Sequence, residues 1–174
     1  SNVELDIPFV NNCIDVVTAL SHCGSGNGYV VTWYDQSGNA NNLTQTTSSA
    51  QPLLISSGAL CSLNGRTVIQ FSTSQYLSLS ANRLYDTGAS IWCVYAKSNG
   101  SVNDAILISD DFGYAYLQYG STVYFGDNSF SGYTFDSNRT YVVNLINTGG
   151  TKYLYKNNNF FNSTADTVTN ESFQ

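Results

Sequence analysis

From Tyr29 to Lys156 the chain is a succession of short runs rich in β-branched and aromatic residues, and Gly, Asn or Ser closes most of them. Short apolar runs separated by turn residues are typical of the strands of a sandwich or a barrel. The predicted strands are residues 29–34, 52–55, 59–63, 66–71, 76–79, 89–96, 104–109, 112–119, 122–126, 139–147 and 151–156. The pattern therefore predicts an all-β fold after a short N-terminal segment.

One short helix is predicted ahead of the strands, over residues 14–23, because apolar residues recur there at helical spacing. The apolar positions are Ile14, Val17, Leu20 and Cys23. Gly24 follows as a stop signal. His22, near the end of the helix, is expected either to interact favourably with the helix dipole or to be exposed.

The length of 174 residues fits one domain with a sizeable core. We therefore predict a single domain over residues 1–174, in which residues 1–27 form a lead segment containing the helix. The Ser/Thr-rich segment 44–51 is too short for a linker and is interpreted as a loop. The last residues, 169–174, have no turn or tail composition, which indicates that a final strand lies in a continuation of the chain.

Strand 89–96 carries apolar residues on both of its faces. Ser90, Trp92, Val94 and Ala96 lie on one face; Ile91, Cys93 and Tyr95 lie on the other. Such a strand is expected at the centre of a sheet, whereas edge strands should be more polar. The last two predicted strands are expected to form a hairpin through Thr148-Gly149-Gly150.

The charge of the chain and the length of its apolar stretches argue against two classes of partner, nucleic acids and membranes. Six basic and twelve acidic residues give a net charge of −6, which opposes binding to the phosphate backbone of a nucleic acid. No stretch approaches the roughly 20 apolar residues of a membrane span, so no membrane insertion is expected. Residues 1–6 lack the pattern of a signal peptide, so an export signal would lie outside this sequence, or export would occur as part of a particle.

The four cysteines show no CxxC spacing, and the single histidine precedes one of them directly. They are Cys13, Cys23, Cys61 and Cys93. A zinc site is therefore poorly supported. Two interpretations stay open, namely buried free thiols that behave as small apolar residues, or one or two disulfides, with Cys13 to Cys23 across the ends of the short helix as one pairing.

Residues 26–45, GNGYVVTWYDQSGNANNLTQ, form the most distinctive block of the sequence. The block resembles the concanavalin A-like, laminin-G-like jelly-roll superfamily. It is similar to the catalytic domain of fungal and bacterial α-L-arabinofuranosidases, which fits the preceding helix ending in Cys23, and to lectin-like domains of phage tail, fibre and head-decoration proteins. Pro52, residues 63–66 and Phe71 continue the pattern. The resemblance implies a two-sheet antiparallel jelly-roll sandwich.

The centre of this block has the composition of a strand end followed by a tight turn. Its residues are Trp33, Tyr34, Asp35, Gln36, Ser37 and Gly38. Asp35 and Ser37 suit hydrogen bonds to turn amides, and Gly38 suits a positive φ. Trp33 and Tyr34 end the strand on opposite faces, so one ring is expected in the core and the other near the rim. We interpret the motif as structural.

Hydrolysis of a glycosidic bond needs two carboxyl groups about 5 to 9.5 Å apart. The two glutamates, Glu4 and Glu171, lie near the chain ends, and the Gly-rich strand bearing a glutamate that the arabinofuranosidase resemblance would imply is absent. The remaining candidates are Asp35, Asp104, Asp110, Asp111 and Asp127, all in turn-like contexts. Since His22 has no partners for a triad, no catalytic residue is predicted.

Calcium is the one cofactor that the sequence leaves open, since carboxylates and carbonyls hold it in related lectin-like folds. Oxygen ligands cluster at Asp110, Asp111 and Asp127, although without a diagnostic spacing. Solvated turns are the alternative interpretation.

Sugar binding needs aromatic rings for the apolar side of a pyranose and amide or carboxylate groups for its hydroxyls. Strand 112–119 places Phe112, Tyr114, Tyr116 and Gln118 on one face, and Tyr124 and Asp127 follow. The predicted glycan site is therefore Tyr114, Tyr116, Gln118, Tyr124 and Asp127. A half-buried sheet surface or a subunit interface is the alternative.

These observations predict a non-catalytic module of a virion surface or an adhesive appendage, such as a phage head fibre, decoration or tail-fibre protein, that contacts host or environmental glycans. Repeated weak sites gain avidity on an oligomer, so a homo-oligomer, such as the trimer of many fibres, and other virion chains are expected partners. The alternatives are an arabinofuranosidase-like hydrolase and a purely structural assembly domain.

Overall fold

The computed structural model of the protein describes residues 3–11, 13–72, 74–79, 89–96, 103–109, 114–119, 122–125, 128–132, 139–148 and 150–165. Most of these residues lie in antiparallel strands, and one α-helix is present among them. The chain divides into two compact units, Ser1–Ala81 and Asn82–Gln174. The all-β prediction is therefore confirmed at this coarse level, while a single domain over the whole chain stays a prediction.

Unit 1 contains the helix α1, Val16–Cys23, a 3-10 helix, Ser48–Ala50, and short strands. The strands are β1 (Phe9–Val10), β2 (Cys13–Ile14), β3 (Gly28–Tyr29), β4 (Thr32–Trp33), β5 (Leu43–Thr44), β6 (Leu53–Ser56), β7 (Ala59–Leu60), β8 (Ser62–Leu63), β9 (Arg66–Thr67) and β10 (Ser78–Leu79). They form the sheets β3-β6-β7 and β10-β5-β4 and the pairs β1-β2 and β8-β9.

Helix α1 begins where Asp15 caps it. The Asp15 carboxylate accepts hydrogen bonds from the Thr18 backbone N–H at 3.1 Å and from the Thr18 hydroxyl at 2.6 Å, and these bonds satisfy a helix donor that would otherwise have no partner. The helix begins two residues later than the predicted segment 14–23, since Ile14 lies in β2, and it ends at Cys23 as predicted. Leu20 and Cys23 of the predicted apolar stripe face inward, but the prediction for Val17 is wrong. Val17 is exposed, whereas Ala19 is buried. The inward stripe is Val16, Ala19, Leu20 and Cys23, the i, i+3, i+4, i+7 set that begins one residue before Val17.

The turn between β6 and β7 lies against the loop that follows the helix. Ser57 donates its N–H to Asn27 Oδ1 at 2.8 Å, and Gly58 donates its N–H to the Gly26 carbonyl at 2.8 Å. A Cβ placed on Gly58 would lie 2.7 Å from the Gly24 carbonyl oxygen. The close approach of two backbones therefore requires glycine at position 58.

The core of unit 1 combines apolar and amide side chains. Ile55 and Cys61 are buried beside Ala19. Gln45 and Gln51 are buried as well, and they are hydrogen-bonded, since Gln51 Nε2 donates to the Gln45 carbonyl at 2.9 Å and Gln45 Oε1 accepts the Thr47 N–H at 2.9 Å. Part of the segment predicted as a loop is thereby held rigidly in the core.

Unit 2 contains longer strands in two four-stranded antiparallel sheets, β11-β16-β17-β18 and β12-β13-β14-β15. The strands are β11 (Ala89–Ala96), β12 (Asn103–Ser109), β13 (Tyr114–Tyr119), β14 (Thr122–Phe125), β15 (Asn128–Phe130), β16 (Thr140–Thr148), β17 (Thr151–Lys156) and β18 (Asn159–Ala165). Thr148 pairs with Thr151, so the predicted hairpin between β16 and β17 is confirmed. Strand β15 contacts β18, and its Phe130 is buried.

Strand β16 lies inside its sheet, between β11 and β17, and its residues Tyr141, Val143 and Leu145 are buried. Among the described residues β11 lies at the end of this sheet, so the prediction that it is central is wrong. The apolar residues Trp92 and Val94, on one of its two faces, are exposed and do not belong to a core. Strand β18, at the other end, is polar and mostly exposed.

Four short strands, β1, β2, β5 and β15, and the longer β18 were not predicted. Two-residue strands such as β5 carry no period-2 pattern that a sequence can reveal, and β18 is rich in Asn, Ser and Thr, residues that also favour turns. The boundaries of β11 and β17 are as predicted.

The Gly58 turn gives a stability prediction with a matched control. Gly58 and Gly65 occupy the same position in two-residue hairpin turns, with φ of 77° and 74°. An alanine at either site incurs the cost of a left-handed conformation, about 1–2 kcal/mol, but only at Gly58 does it also meet backbone, whereas Gly65 has open space. We expect Gly58→Ala to lower the free energy of unfolding by about 1–3 kcal/mol more than Gly65→Ala in urea titrations. Equal losses would contradict the packing described here.

Candidate functional site

The loop after strand β4 is organised by the carboxylate of Asp35. Asp35 Oδ1 accepts the Ser37 N–H at 2.8 Å, and Oδ2 accepts the Ser37 hydroxyl at 2.7 Å and the Asn41 N–H at 3.0 Å. Asn42 Oδ1 accepts the Asp35 N–H at 2.9 Å, and Gly38 has a φ of 83°. The turn geometry expected of the motif from Trp33 to Gly38 is therefore present.

These hydrogen bonds also set the protonation of Asp35. The Ser37 and Asn41 amides and the Ser37 hydroxyl hold the pKa of the Asp35 carboxyl below its ordinary value, because they stabilise the charged form. A general acid at neutral pH needs a raised pKa instead. Asp35 is thus suited to holding a turn rather than to donating a proton.

The two aromatic residues before Asp35 lie differently from the prediction. Trp33 is 45% exposed and Tyr34 is 48% exposed, so neither ring is in the core. Tyr34 donates its hydroxyl to Asp6 Oδ1 at 2.8 Å, and this bond raises the pKa of Tyr34. The ring is fixed to the N-terminal segment instead of the core. His22 is exposed, and its Nε2 lies 3.0 Å from the Val3 carbonyl.

Part of the predicted glycan site lies in strands whose backbone is described. Tyr114, Tyr116 and Gln118 lie in β13, and Tyr124 lies in β14. The register pairs Gln118 with Val123, and Tyr124 with Leu117. Tyr124 is therefore in register with Leu117 and not with Tyr116 or Gln118. Asp127 and Phe112 lie outside the described residues, as do the side chains of these four residues, so this site stays a prediction.

The predicted calcium ligands Asp110, Asp111 and Asp127 also lie outside the described residues. Within the part of the chain that is described, no three His, Cys, Asp or Glu side chains are grouped as metal ligands. The four cysteines are free thiols, so the Cys13 to Cys23 disulfide considered above is not formed. Burial raises the pKa of the Cys93 and Cys61 thiols.

A second surface of unit 2 presents aromatic rings to solvent. Cross-strand pairing places Trp92, Asn144, Tyr155 and Phe160 in one row across β11, β16, β17 and β18. Trp92 is 62% exposed and Phe160 is 58% exposed, while the rings of Tyr155 and Phe160 meet edge to face at 5.7 Å. We call this surface the aromatic face, consisting of Ser90, Trp92, Val94, Val142, Asn144, Ile146, Tyr153, Tyr155 and Phe160.

Polar groups lie among these rings. Asn144 is 5% exposed, and Ser90 donates its hydroxyl to Asn144 Oδ1 at 3.3 Å. This is the one hydrogen bond of the Asn144 side chain with the described residues, so its Nδ2 keeps donor capacity. Tyr153 and Tyr155, both partly exposed, add hydroxyl groups to the same face. The aromatic face can thus offer stacking and hydrogen bonding together.

The aromatic face carries no charged residue. The two lysines of β17 belong to the opposite side of the sheet, since Lys152 pairs with Asn147 and Lys156 pairs with Val143. Lys156 Nζ lies 4.8 Å from the centre of the Tyr141 ring on that side. The nine residues of this face therefore supply no ion pair and no carboxyl group.

The sequence predicts that Ser90 and Trp92 share one face of their strand, but it predicts a central strand and does not reveal that this face is exposed. A usable signal was Asn144, a single amide within the apolar run YVVNLI of β16, since a polar residue in an apolar strand needs a partner or a function. The sequence does not reveal that Phe160 belongs to the aromatic face, because its strand, β18, was not predicted.

The Asp35 loop gives a pH-dependent prediction. Because the folded-state pKa of Asp35 lies below its unfolded value, its contribution to stability is present at neutral pH and is lost as the pH falls through the folded pKa. We expect Asp35→Asn to lower the melting temperature at pH 7 and the deficit to shrink towards acidic pH. Glu4→Gln, the same charge change at an exposed site, should have little effect. A deficit for Asp35→Asn that is constant with pH would contradict this role.

No family model matches the chain, and neither the curated proteins nor the solved structures include one that is significantly similar to it. In the described part of the chain, no helix has the length and apolarity needed to cross a bilayer. The function of the protein has therefore to be inferred from its own residues, and among the described residues the aromatic face combines exposed aromatic rings with hydrogen-bonding groups.

Proposed function

We propose that the protein is a non-catalytic module of a virion surface or adhesive appendage, folded as a jelly-roll sandwich, that contacts glycans through the aromatic face. The row formed by the exposed Trp92 and Phe160 and the partly exposed Tyr155 around Asn144 is the observation that carries this proposal. The sandwich is supported by the two antiparallel sheets of unit 2 and by the buried Phe130, whose strand contacts β18.

Carbohydrate recognition explains why these residue types occur together. A pyranose has an apolar C–H side that stacks on an aromatic ring, and hydroxyls that require hydrogen-bond partners. Trp92 supplies the most exposed ring of the row, and the Asn144 amide and the Tyr155 hydroxyl supply polar groups within reach of the same ligand. The rings lie on a hydrogen-bonded sheet, so little ordering of the protein would oppose binding.

The positions and hydrogen bonds of the carboxylates favour a binding role over hydrolysis. The Asp35 carboxylate, which belongs to the motif from Trp33 to Gly38, already accepts three hydrogen bonds within its own loop. A glycoside hydrolase needs one carboxyl group with a raised pKa facing a second one, whereas the aromatic face contains no carboxylate. We therefore propose binding without bond cleavage.

Weak binding sites of this kind become effective when several copies bind the same surface. An open aromatic surface buries only part of a sugar, so a single site is expected to bind weakly, and presentation on a homo-oligomer raises avidity by orders of magnitude. Display on a fibre or a capsid, with other virion chains as neighbours, would provide this repetition.

One observation favours a structural role as the second candidate. Val94, beside Trp92 on β11, and Phe160, at the other end of the row on β18, are also exposed apolar side chains, and exposed apolar surface also marks protein interfaces. If the aromatic face is buried between chains, purified protein should self-associate in sedimentation experiments, and Trp92→Ala should dissociate it.

Glycan binding is tested with a matched pair of tryptophan variants on a glycan array. Trp92→Ala removes the most exposed ring of the row, and we expect about a tenfold or larger loss of affinity for any bound glycan, or about 1.4 kcal/mol per tenfold. Trp33→Ala removes a ring of similar exposure outside the aromatic face and should bind as the wild type does. Far-ultraviolet circular dichroism checks that both variants fold. A silent array with oligomeric wild-type protein would refute the proposal.

A further inference from the structure

We infer that the ligand of the aromatic face is an uncharged oligosaccharide lying across the strands, with successive contacts to Trp92 and Tyr155. The inference rests on the proposed glycan binding and specifies the class of glycan that is bound. It follows from three features of this face: its lack of charge, the spacing of its rings and the amide between them.

Charge comes first. No Lys, Arg or His belongs to the aromatic face, and the lysines of β17 lie on the opposite side of the sheet. The protein carries a net charge of −6. An acidic glycan, such as one containing sialic or uronic acid, would lose hydration of its carboxylate without gaining a cationic partner, and the overall field would repel it. A neutral glycan meets neither penalty.

The strand pairing fixes the direction and the length of the ligand. Trp92 and Tyr155 both pair with Asn144 from opposite sides, so their backbones lie two strand spacings apart, about 10 Å. One strand spacing is close to the length of one pyranose unit in an extended chain. The two rings therefore contact sugar units that are separated by one residue, and a trisaccharide is the shortest chain that reaches both.

The middle sugar lies over Asn144. Asn144 is 5% exposed, and its Oδ1 already accepts the Ser90 hydroxyl, which orients the amide so that Nδ2 can donate. A neutral donor at this position suits a sugar hydroxyl or ring oxygen. The edge-to-face contact of Phe160 with Tyr155, at 5.7 Å, holds the second stacking ring in place.

Calorimetry with graded oligosaccharides tests this inference. The probes are cello-, manno- and galacto-oligosaccharides from mono- to pentasaccharide, together with oligogalacturonides as free acids and as methyl esters, which share one sugar backbone and of which only the acids are charged. We expect affinity to rise about tenfold or more from mono- to trisaccharide in at least one neutral series and then to level off. The esters should bind at least as well as the acids.

Variants separate the inference from the proposed function. Trp92→Ala and Tyr155→Ala should each flatten the dependence on chain length, whereas Trp33→Ala should retain it. Stronger binding of acidic glycans, or an unchanged length dependence in both face variants, would overturn the inference while glycan binding itself stands. Absence of binding to every probe, or self-association that Trp92→Ala abolishes, would overturn the proposed function as well.

Discussion

Strand β16 is hydrogen-bonded on both sides, to β11 and to β17, and this pairing decides which side chains of unit 2 can reach solvent. Side chains alternate along a strand, so the register that buries Val143 and Leu145 must turn Asn144 to the other face together with its partners Trp92 and Tyr155. A slip of one residue would exchange the two faces. The core on one side therefore fixes the aromatic face on the other.

The two units use polar residues in contrasting ways. In unit 1, Asp35 is fully engaged in its loop, and the buried Gln45 and Gln51 are hydrogen-bonded within the core, so these groups stabilise local structure. In unit 2, Asn144 lies among the rings of the aromatic face, and its Nδ2 has no hydrogen-bond acceptor among the described residues. The Asp35 carboxylate, which is hydrogen-bonded within its own turn, and the absence of a carboxylate among the nine residues of the aromatic face are the two reasons why we propose recognition and not catalysis.

The sequence allows the strand content, the helix and the Asp35 turn to be predicted because each has a local cause. Asp15 and Gly24 bound the helix, and Asp35, Ser37 and Gly38 favour a turn through local side-chain hydrogen bonds and a positive φ. The aromatic face depends instead on which strands are neighbours. The sequence predicts a central strand for Trp92, whereas β11 lies at the end of its sheet among the described residues, and Phe160 joins the row only through the unpredicted β18.

Tryptophan fluorescence tests most directly whether the aromatic face is the glycan site, because Trp33 and Trp92 are the only tryptophans of the chain. Trp33→Phe protein reports Trp92 alone, and Trp92→Phe protein reports Trp33 alone. On titration with a neutral trisaccharide that calorimetry shows to bind, we predict a saturable change of Trp92 emission and a constant Trp33 emission. A saturable change of Trp33 emission with constant Trp92 emission would contradict the assignment of the site.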